Sequence, residues 1–372
     1  MAIDYSKRLV QMRERRQGTA ESTRKFTEHY AYSSEGFTGS TKEAYENRSR
    51  SESTKYALGA MQAVDPEYTK VSIAEGDRVK QKLSNGLYKS GISTEFEYQG
   101  SVPLDIHIKR HSDIDLLVLD SRFVTCDHAA ALTAGNQYGK LLPKSAAQYL
   151  IELRRNCERI LIEAYPAANV NTSGAKSINL SGDSFQRKVD VVPSHWHDSA
   201  TYQRTRQKHD RVVQILDKIE QKTIPNLPFL HIKKVNDKDK ATLGGTKKVI
   251  RFLKTLKADC DQDITLSSYD IASLVWHFND RGLAQPTSRE LALIAVARAE
   301  LNAMCRDYSG TCKLTTPDGS RKIIDKPEKF TSLQKLSAEV DAIASDIARE
   351  LDPMVQWFPD RIRPALEAVS IR

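Results

Sequence analysis

The sequence predicts an α+β fold in which a small mixed sheet with helices precedes an α-helical half. Strand-like runs occur between residues 93 and 193, and helical spacing of apolar residues replaces them after residue 245. The length of 372 residues exceeds what one compact core usually holds. We therefore expect N-terminal helices packing on the core over residues 1–70, a mixed domain over 71–240 and a helical domain over 241–372.

The composition excludes several classes of protein. The chain is 40% hydrophobic and 28% charged, and no apolar run reaches the roughly 20 residues that a membrane helix needs, so we expect no membrane association. The five cysteines are scattered without a C-x-x-C pair, which argues against a disulfide framework or a structural zinc site and favours a cytoplasmic location. A formal charge of +8 favours polyanionic partners such as nucleotides or nucleic acid.

The mixed domain begins with a helix predicted over about 70–87. The alternating run 93–98 predicts a strand that leads into Gly100-Ser101, and a more apolar strand is expected over 114–119. The remaining predicted elements are a helix over 145–164, strands near 168–180 and 187–193, the latter stopped by Pro193, and extended structure over 211–235.

The helical half follows Gly244-Gly245. The first three predicted helices cover about 246–258, Ser267-Ser268 to Phe278, and Pro286 to about Met304, the third with a capping box of Thr287 and Glu290. A last helix is predicted from an apolar stripe that runs from Leu333 to Leu351. A tight turn over 317–319 is expected between the last two.

Three aspartates form the candidate site of the mixed domain. Asp113 and Asp115 are two residues apart at the start of a strand, so their side chains should point to the same side. Two carboxylates this close repel each other unless a cation lies between them, and Mg²⁺ prefers carboxylate and phosphate oxygens. Asp190 lies in another strand-like segment and completes the platform if the two strands are neighbours. We therefore expect two Mg²⁺ ions, with Mn²⁺ as the alternative.

Gly100-Ser101 supplies the other half of the predicted site. Glycine permits close backbone approach, and Ser101 offers a hydroxyl and an N–H to phosphate oxygens. On such a platform one ion activates an attacking hydroxyl and the other neutralises a triphosphate and its leaving pyrophosphate, while a third carboxylate can act as general base. A lone D-x-D or Gly-Ser is common, so the combination of motifs predicts a nucleotidyltransferase.

These motifs resemble those of the polymerase-β-like nucleotidyltransferase superfamily. They are Gln99-Gly100-Ser101, Ser112-Asp113-Ile114-Asp115-Leu116 and Asp190. Within the superfamily the chain most resembles the cGAS/DncV-like nucleotidyltransferases of bacterial anti-phage signalling, over roughly residues 70–280. The narrower resemblance rests on chain length, the segment 189–193 with Trp196, and the segments 247–254 and 266–269. Many relatives carry a threonine where this chain has Ile106.

The resemblance implies a polymerase-β-like core and an α-helical domain, arranged as two lobes around a nucleotide cleft. It implies Mg²⁺-dependent synthesis of a cyclic di- or trinucleotide second messenger from NTPs, ATP among them, in a cytoplasmic enzyme. A downstream effector would bind the product rather than the enzyme, and an activating partner or ligand is compatible with this expectation. The residues implied in nucleotide binding are Gln99, Gly100, Ser101, Lys247, Arg251, Lys254, Ser268 and Tyr269.

The helical half carries residues with two interpretations. Lys247, Arg251 and Lys254 share one helical face, which either neutralises a triphosphate or is only solvated. Ser268 either caps a helix or binds the triphosphate, and Tyr269 either stacks on a base or packs in the core.

Two further interpretations concern polar segments outside these motifs. His195-x-His197 is interpreted as part of a polar loop after a strand. Asp259, Asp261 and Asp263 are interpreted as a solvated loop between helices, because no apolar strand fixes them.

Two other functions are compatible with the sequence. Another nucleotidyltransferase of the superfamily would keep the acids but act on RNA, a small molecule or a protein. A nucleic-acid-binding regulatory module with a vestigial site would account for the basic charge, although the intact set of three acids argues against it.

Overall fold

A computed structural model of the protein describes residues 3–17, 43–108, 112–133, 135, 138, 143–182 and 185–371. The described residues cluster into two units. The sheet unit consists of the described residues within 65–105 and 112–234. The helical unit consists of the described residues up to 64, those within 106–111 and those from 235 onward. The domain boundaries predicted near residues 70 and 240 stay predictions.

The helices are numbered in chain order over the described residues. They are α1 (Tyr5–Gln17), α2 (Ala44–Asn47), α3 (Glu52–Met61), α4 (Pro66–Lys89), α5 (His128–Thr133), α6 (Ala146–Ala164), α7 (Ala200–Thr205), α8 (Pro228–Ala241), α9 (Gly245–Asp259), α10 (Ser268–Trp276), α11 (Asp280–Leu283), α12 (Glu290–Arg306), α13 (Tyr308–Thr311), α14 (Pro327–Leu351) and α15 (Ile362–Ala368). None of these helices is both long enough and apolar enough to cross a membrane.

Seven strands form one mixed sheet in the described part of the sheet unit. They are β1 (Thr94–Gln99), β2 (Ile114–Cys126), β3 (Asn169–Asn171), β4 (Ile178–Gly182), β5 (Phe185–Asp198), β6 (Val212–Asp217) and β7 (Lys222–Asn226). The parallel pair of β2 and β5 lies at the centre, and the other pairs are antiparallel. On the edge that faces away from β2, the N-terminal part of β5 pairs with β4 and its C-terminal part pairs with β6.

The two faces of β2 contribute to different clusters of apolar side chains. Ile114, Leu116 and Val118 are buried in one core together with apolar residues of α4 and α6. Leu117 and Leu119 are buried in another cluster that includes Trp196. This alternation places Ile114 in the core and turns Asp115 towards the opposite face of β2.

Pro193 does not end its strand, contrary to the prediction. The pairing of β5 with β4 extends to Val191, and its pairing with β6 begins at Ser194. Pro193 lies in the interval between these two partners, so neither antiparallel ladder includes it, while on the other edge of β5 it is in register with Val118 of β2. The interpretation of His195 and His197 as a polar loop is also wrong, because both lie in β5 and His195 is buried.

The extended structure predicted over 211–235 is only partly correct. Strands β6 and β7 lie within this range, but β7 ends at Asn226 and α8 begins at Pro228. Proline suits the first position of a helix, because the N–H group that it lacks would have no partner within the helix.

The helical unit contains the expected helices, and its last long helix confirms the predicted stripe. Leu333, Leu336, Val340, Ile343 and Ile347 are all buried in α14. This helix packs against α12 and α15, while α3 packs against α1 and α9. The stripe reflects the burial of one helical face.

Two predictions for the helical unit are wrong. Thr287 begins a short 3₁₀ turn instead of capping α12, and Glu290 pairs with Lys248 across 2.6 Å and with Arg48. Asp259 is not a solvated residue, because its carboxylate is buried and forms an ion pair with Arg15. In both cases the carboxylate, of Glu290 or of Asp259, pairs with a cationic side chain that is distant in the sequence.

Gly86 lies inside α4 where α6 approaches closely. A Cβ added at Gly86 would lie 2.7 Å from Cδ1 of Ile160. We expect Gly86→Ala to lower the free energy of unfolding by about 1 kcal/mol, because overpacking of a buried contact outweighs the helical propensity of alanine. Chemical denaturation measures the change. When Ile160→Val is added, the smaller side chain should relieve the contact, so the double variant should lose less stability than the sum of the two single losses. A Gly86→Ala variant that is more stable than the wild type would contradict the close contact.

Candidate active site

The turn after β1 brings the backbone of Gly100 against the carboxylate of Asp115. Gly100 has a φ of +80°, and a Cβ at this position would lie 2.2 Å from Oδ2 of Asp115. The left-handed conformation and the close approach each favour glycine. Ser101, the next residue in the turn, is partly buried.

Four polar residues form a row across four neighbouring strands. Gln99 on β1 pairs in register with Asp115 on β2, Asp115 pairs with Asp190 on β5, and Asp190 pairs with Asn179 on β4. Directly paired residues of adjacent strands project from the same face. We call this set the polar row; it brings two of the predicted acids and the residue before Gly100 to one face of the sheet.

The ends of the polar row are held by amide hydrogen bonds. Asn179 donates from Nδ2 to Oδ1 of Asp190 across 2.5 Å. At the other end, Asn226 on β7 donates from Nδ2 to Oε1 of Gln99 across 3.3 Å. The side-chain oxygen of Gln99 is therefore already engaged within the sheet unit.

Asp113 precedes β2 and is electrostatically coupled to Asp190. Burial raises the pKa of Asp113, and repulsion from Asp190 raises it further, while Lys188 and Arg187 act in the opposite direction. Burial also raises the pKa of Asp190, partly offset by the hydrogen bond from Asn179 and by Lys188. Both carboxylates are thus held where a negative charge is disfavoured unless a positive charge accompanies it.

The carboxylate oxygens of the three aspartates are of the ligand type that hard divalent cations prefer. Three aspartates supply only oxygen ligands, and a cation would relieve the repulsion and desolvation that raise two of their pKa values. Within the ranges that the structure describes, no three His, Cys, Asp or Glu side chains converge closely enough to hold a metal ion. The fit therefore rests on the chemistry and the strand positions of the acids.

Asn179 and Arg187 were not identified from the sequence. Arg187 is buried on β5 and donates from Nη1 to the carbonyl oxygen of Ser112 across 3.0 Å, directly before Asp113. Its backbone N–H donates to Oε2 of Glu75 on α4 across 3.0 Å. Nothing in the local pattern marks either residue, because their importance follows from strand neighbours that only the register defines.

The predicted basic face of α9 is not a solvated surface. Arg251 is buried and donates from Nε to the carbonyl oxygen of Met61 across 2.8 Å. Lys254 is buried and donates from Nζ to the carbonyl oxygen of Ile106 across 2.6 Å. Lys247 is partly buried and lies 4.0 Å from Asp239. These contacts all lie within the helical unit.

Ser268 and Tyr269 begin α10, with Ser267 as the cap. The side chain of Ser267 and that of Asp270 form a reciprocal capping box, so the interpretation of Ser268 as the cap is wrong, and Ser268 is exposed. Tyr269 donates its hydroxyl to Oδ2 of Asp318 across 2.8 Å, and burial raises the pKa of this phenol. The guanidinium of Arg321 lies 5.3 Å from the centre of its ring.

Comparison with known proteins identifies the family. Residues 233–346 match the C-terminal helical domain of the cGAS/DncV-like nucleotidyltransferases. A cyclic dinucleotide synthase, CdnE of Yersinia aleksiciae, is 39% identical over 362 residues, which cover 93% of each chain. The chain belongs to the cGAS/DncV-like nucleotidyltransferases. The resemblance to this family, stated from chain length and from the segments 189–196, 247–254 and 266–269, is thereby confirmed.

Other similarities extend over most of this nucleotidyltransferase. A c-di-GMP synthase of Capnocytophaga granulosa is 34% identical over 316 residues, covering 79% of this chain and 87% of the relative. The solved structure of a STING-associated CdnE c-di-GMP synthase from the same species superposes with a TM-score of 0.71 at 28% identity, covering 94% of this chain and 100% of that one. The predicted α+β fold with a polymerase-β-like core is confirmed.

Gly100 and Gly182 allow backbone strain to be separated from contact with Asp115. Both have positive φ, but a Cβ at Gly182 would meet nothing within 4 Å. We expect each alanine substitution to lower the free energy of unfolding by roughly 1–2 kcal/mol. Only Gly100→Ala should also lower turnover, by about 100-fold, because it displaces the Asp115 carboxylate. Denaturation and steady-state kinetics measure both effects; equal turnover in the two variants would refute the assigned contact.

The raised pKa of Asp113 predicts how stability depends on pH without divalent ions. A carboxyl group with a higher pKa when folded binds its proton more tightly in the native state, so its contribution to stability falls as pH rises through that range. Asp113→Asn should therefore raise Tm at pH 7, and this gain should disappear as pH falls from the raised pKa towards the ordinary value of about 3.9.

Asp217 provides a control of opposite sign for this measurement. Backbone N–H groups of Glu220 and Ile219 lower its pKa, so Asp217→Asn should lower Tm at pH 7. Differential scanning calorimetry between pH 3 and pH 7, with a chelator present, checks both variants. A lower Tm for Asp113→Asn at neutral pH would show that Asp113 is not destabilised by its surroundings.

Proposed function

We propose that this nucleotidyltransferase joins two NTPs into a cyclic dinucleotide and releases two pyrophosphates, as part of a bacterial anti-phage signalling system. The observation that carries the proposal is the direct pairing of Asp115 with Asp190 beside the Gly100 turn. The relative from Y. aleksiciae, named a cyclic dinucleotide synthase, supports this choice of product because the similarity spans 93% of both chains.

Asp113, Asp115 and Asp190 are the residues that would hold Mg²⁺. When bound, the metal would lower the pKa of the attacking hydroxyl and neutralise the triphosphate and the leaving pyrophosphate. The carboxylates would supply the negative charge that offsets such a cation, and their raised pKa values support a site that gains stability from one. Mn²⁺ is the expected substitute, since it accepts the same oxygen ligands.

The residues of the chain would orient and deprotonate the reacting groups. Ser101 and the N–H groups of its turn would bind phosphate oxygens. A ribose hydroxyl of one nucleotide would attack the α-phosphorus of the other, the bond from that phosphorus to the β-bridging oxygen would break, and the electron pair would leave with pyrophosphate. One of the three carboxylates would accept the proton of the attacking hydroxyl as general base. A second round of the same reaction closes the ring.

The substrates and partners form a finer part of the proposal. The c-di-GMP synthase of C. granulosa, at 34% identity, makes GTP the first nucleotide to test, alongside the predicted ATP. A cytoplasmic location, an effector that binds the product and an activating partner or ligand follow from the same proposal. The nucleotide contacts of Gln99, Lys247, Arg251, Lys254, Ser268 and Tyr269 stay predictions.

Replacing Asp113 or Asp115 should abolish product formation without unfolding the protein. We expect Asp113→Asn and Asp115→Asn to lower pyrophosphate release by at least about 1,000-fold, because each removes a charge from the proposed metal site. Asp127→Asn provides the control, since Asp127 directly follows the other end of β2.

Mass spectrometry of phosphatase-resistant products from all four NTPs with Mg²⁺ tests the proposal. The expected result is a cyclic dinucleotide from the wild type and from Asp127→Asn, and none from the two acid variants. Transfer of nucleotides to RNA, a small molecule or a protein would favour the alternative acceptors instead.

A further inference from the structure

Asn179 directly contacts the third aspartate but carries no charge of its own. It is the register partner of Asp190 on β4, and its Nδ2 donates to Oδ1 of that carboxylate across 2.5 Å. The same Nδ2 lies 3.3 Å from Oγ of Ser177. Both contacts use the amide as a donor, which is the role that an ionised carboxylate requires of its neighbour.

The position of Asn179 is fixed by its strand and by the loop before it. Ile178 and Leu180, on either side, are fully buried on the opposite face of β4. A slip of one residue would exchange these faces, so burial of the apolar pair fixes the register of Asn179.

Arg154 immobilises the loop that leads into β4. Its guanidinium is almost fully buried and donates to four carbonyl oxygens, those of Thr172, Gly174, Ala175 and Ser177. Its Nε donates to Glu158 on α6 across 2.8 Å. The amide of Asn179 therefore projects from a backbone that is held on both sides.

We propose that Asn179 is a positioning residue that fixes the orientation of Asp190 by engaging Oδ1 and leaving Oδ2 for a divalent cation. This inference rests on the proposed function, since it concerns the same three acids. A carboxylate can rotate about its last bond, and only one of its two oxygens is engaged by the amide. Loss of the amide would let Asp190 rotate and would weaken the metal site without removing a ligand.

The structure offers a matched control on the same row of the sheet. Asn171 on β3 is the register partner of Asn179 on its far side, and it is exposed. Its Oδ1 accepts hydrogen bonds from the backbone N–H and the hydroxyl of Ser173, away from the acids. The same substitution at the two asparagines therefore separates contact with Asp190 from a general effect on the sheet.

The test compares the full-length wild type, Asn179→Leu and Asn171→Leu. Three quantities are measured: Mn²⁺ affinity by electron paramagnetic resonance with a non-hydrolysable GTP analogue present, the Mg²⁺ concentration for half-maximal turnover, and Tm in the presence of a chelator. Asn179→Ala is included because it removes the same donor without adding apolar bulk, in case the leucine variant does not fold.

We expect Asn179→Leu and Asn179→Ala to weaken Mn²⁺ binding and to raise the Mg²⁺ requirement by about 10- to 100-fold, with Asn171→Leu unchanged. A folded Asn179 variant with wild-type Mn²⁺ affinity and Mg²⁺ requirement would overturn the inference, whatever its Tm. A wild type that neither binds Mn²⁺ nor needs a divalent ion for turnover would instead overturn the proposed metal chemistry, so the two failures are distinguishable.

Discussion

The parallel pairing of β2 with β5 is the constraint on which the rest of the site depends. It places Asp115 opposite Asp190 although 75 residues separate them in the chain. The pairing is held by apolar residues that alternate with the acids, such as Leu116 opposite Val191. Because a slip of one residue would turn the acids into the core, the burial energy of these apolar side chains also fixes the carboxylates.

The sheet holds these carboxylates in positions that do not favour their charge. Partial burial raises the pKa of Asp113 and Asp190, and the surrounding residues compensate only in part. Gly100 allows the backbone to approach Asp115, Asn179 engages one oxygen of Asp190, and Arg187 lies beside Asp113. Such a preorganised arrangement stores repulsion in the folded protein that a bound cation can release.

Charged residues inside the fold account for several differences between prediction and structure. Arg251 and Lys254 have the spacing of an exposed basic face, yet each donates to a backbone carbonyl within the helical unit. Asp259 likewise forms a buried ion pair, where a solvated loop was expected. Their partners are about 150 to 240 residues away in the sequence, and helical periodicity reports only which face a residue occupies, not what packs on that face.

The sequence by itself determined the α+β class, the acid motif and the apolar stripe of α14, because each depends on local spacing along one strand or helix. It also identified Gly100-Ser101, which follows a strand and precedes Asp113 and Asp115. Only the tertiary structure decided that Asn179 is the partner of Asp190, and that Pro193 lies where β5 changes partners. Strand alternation defines the face on which a side chain lies, whereas its neighbour on that face depends on the pairing of distant segments.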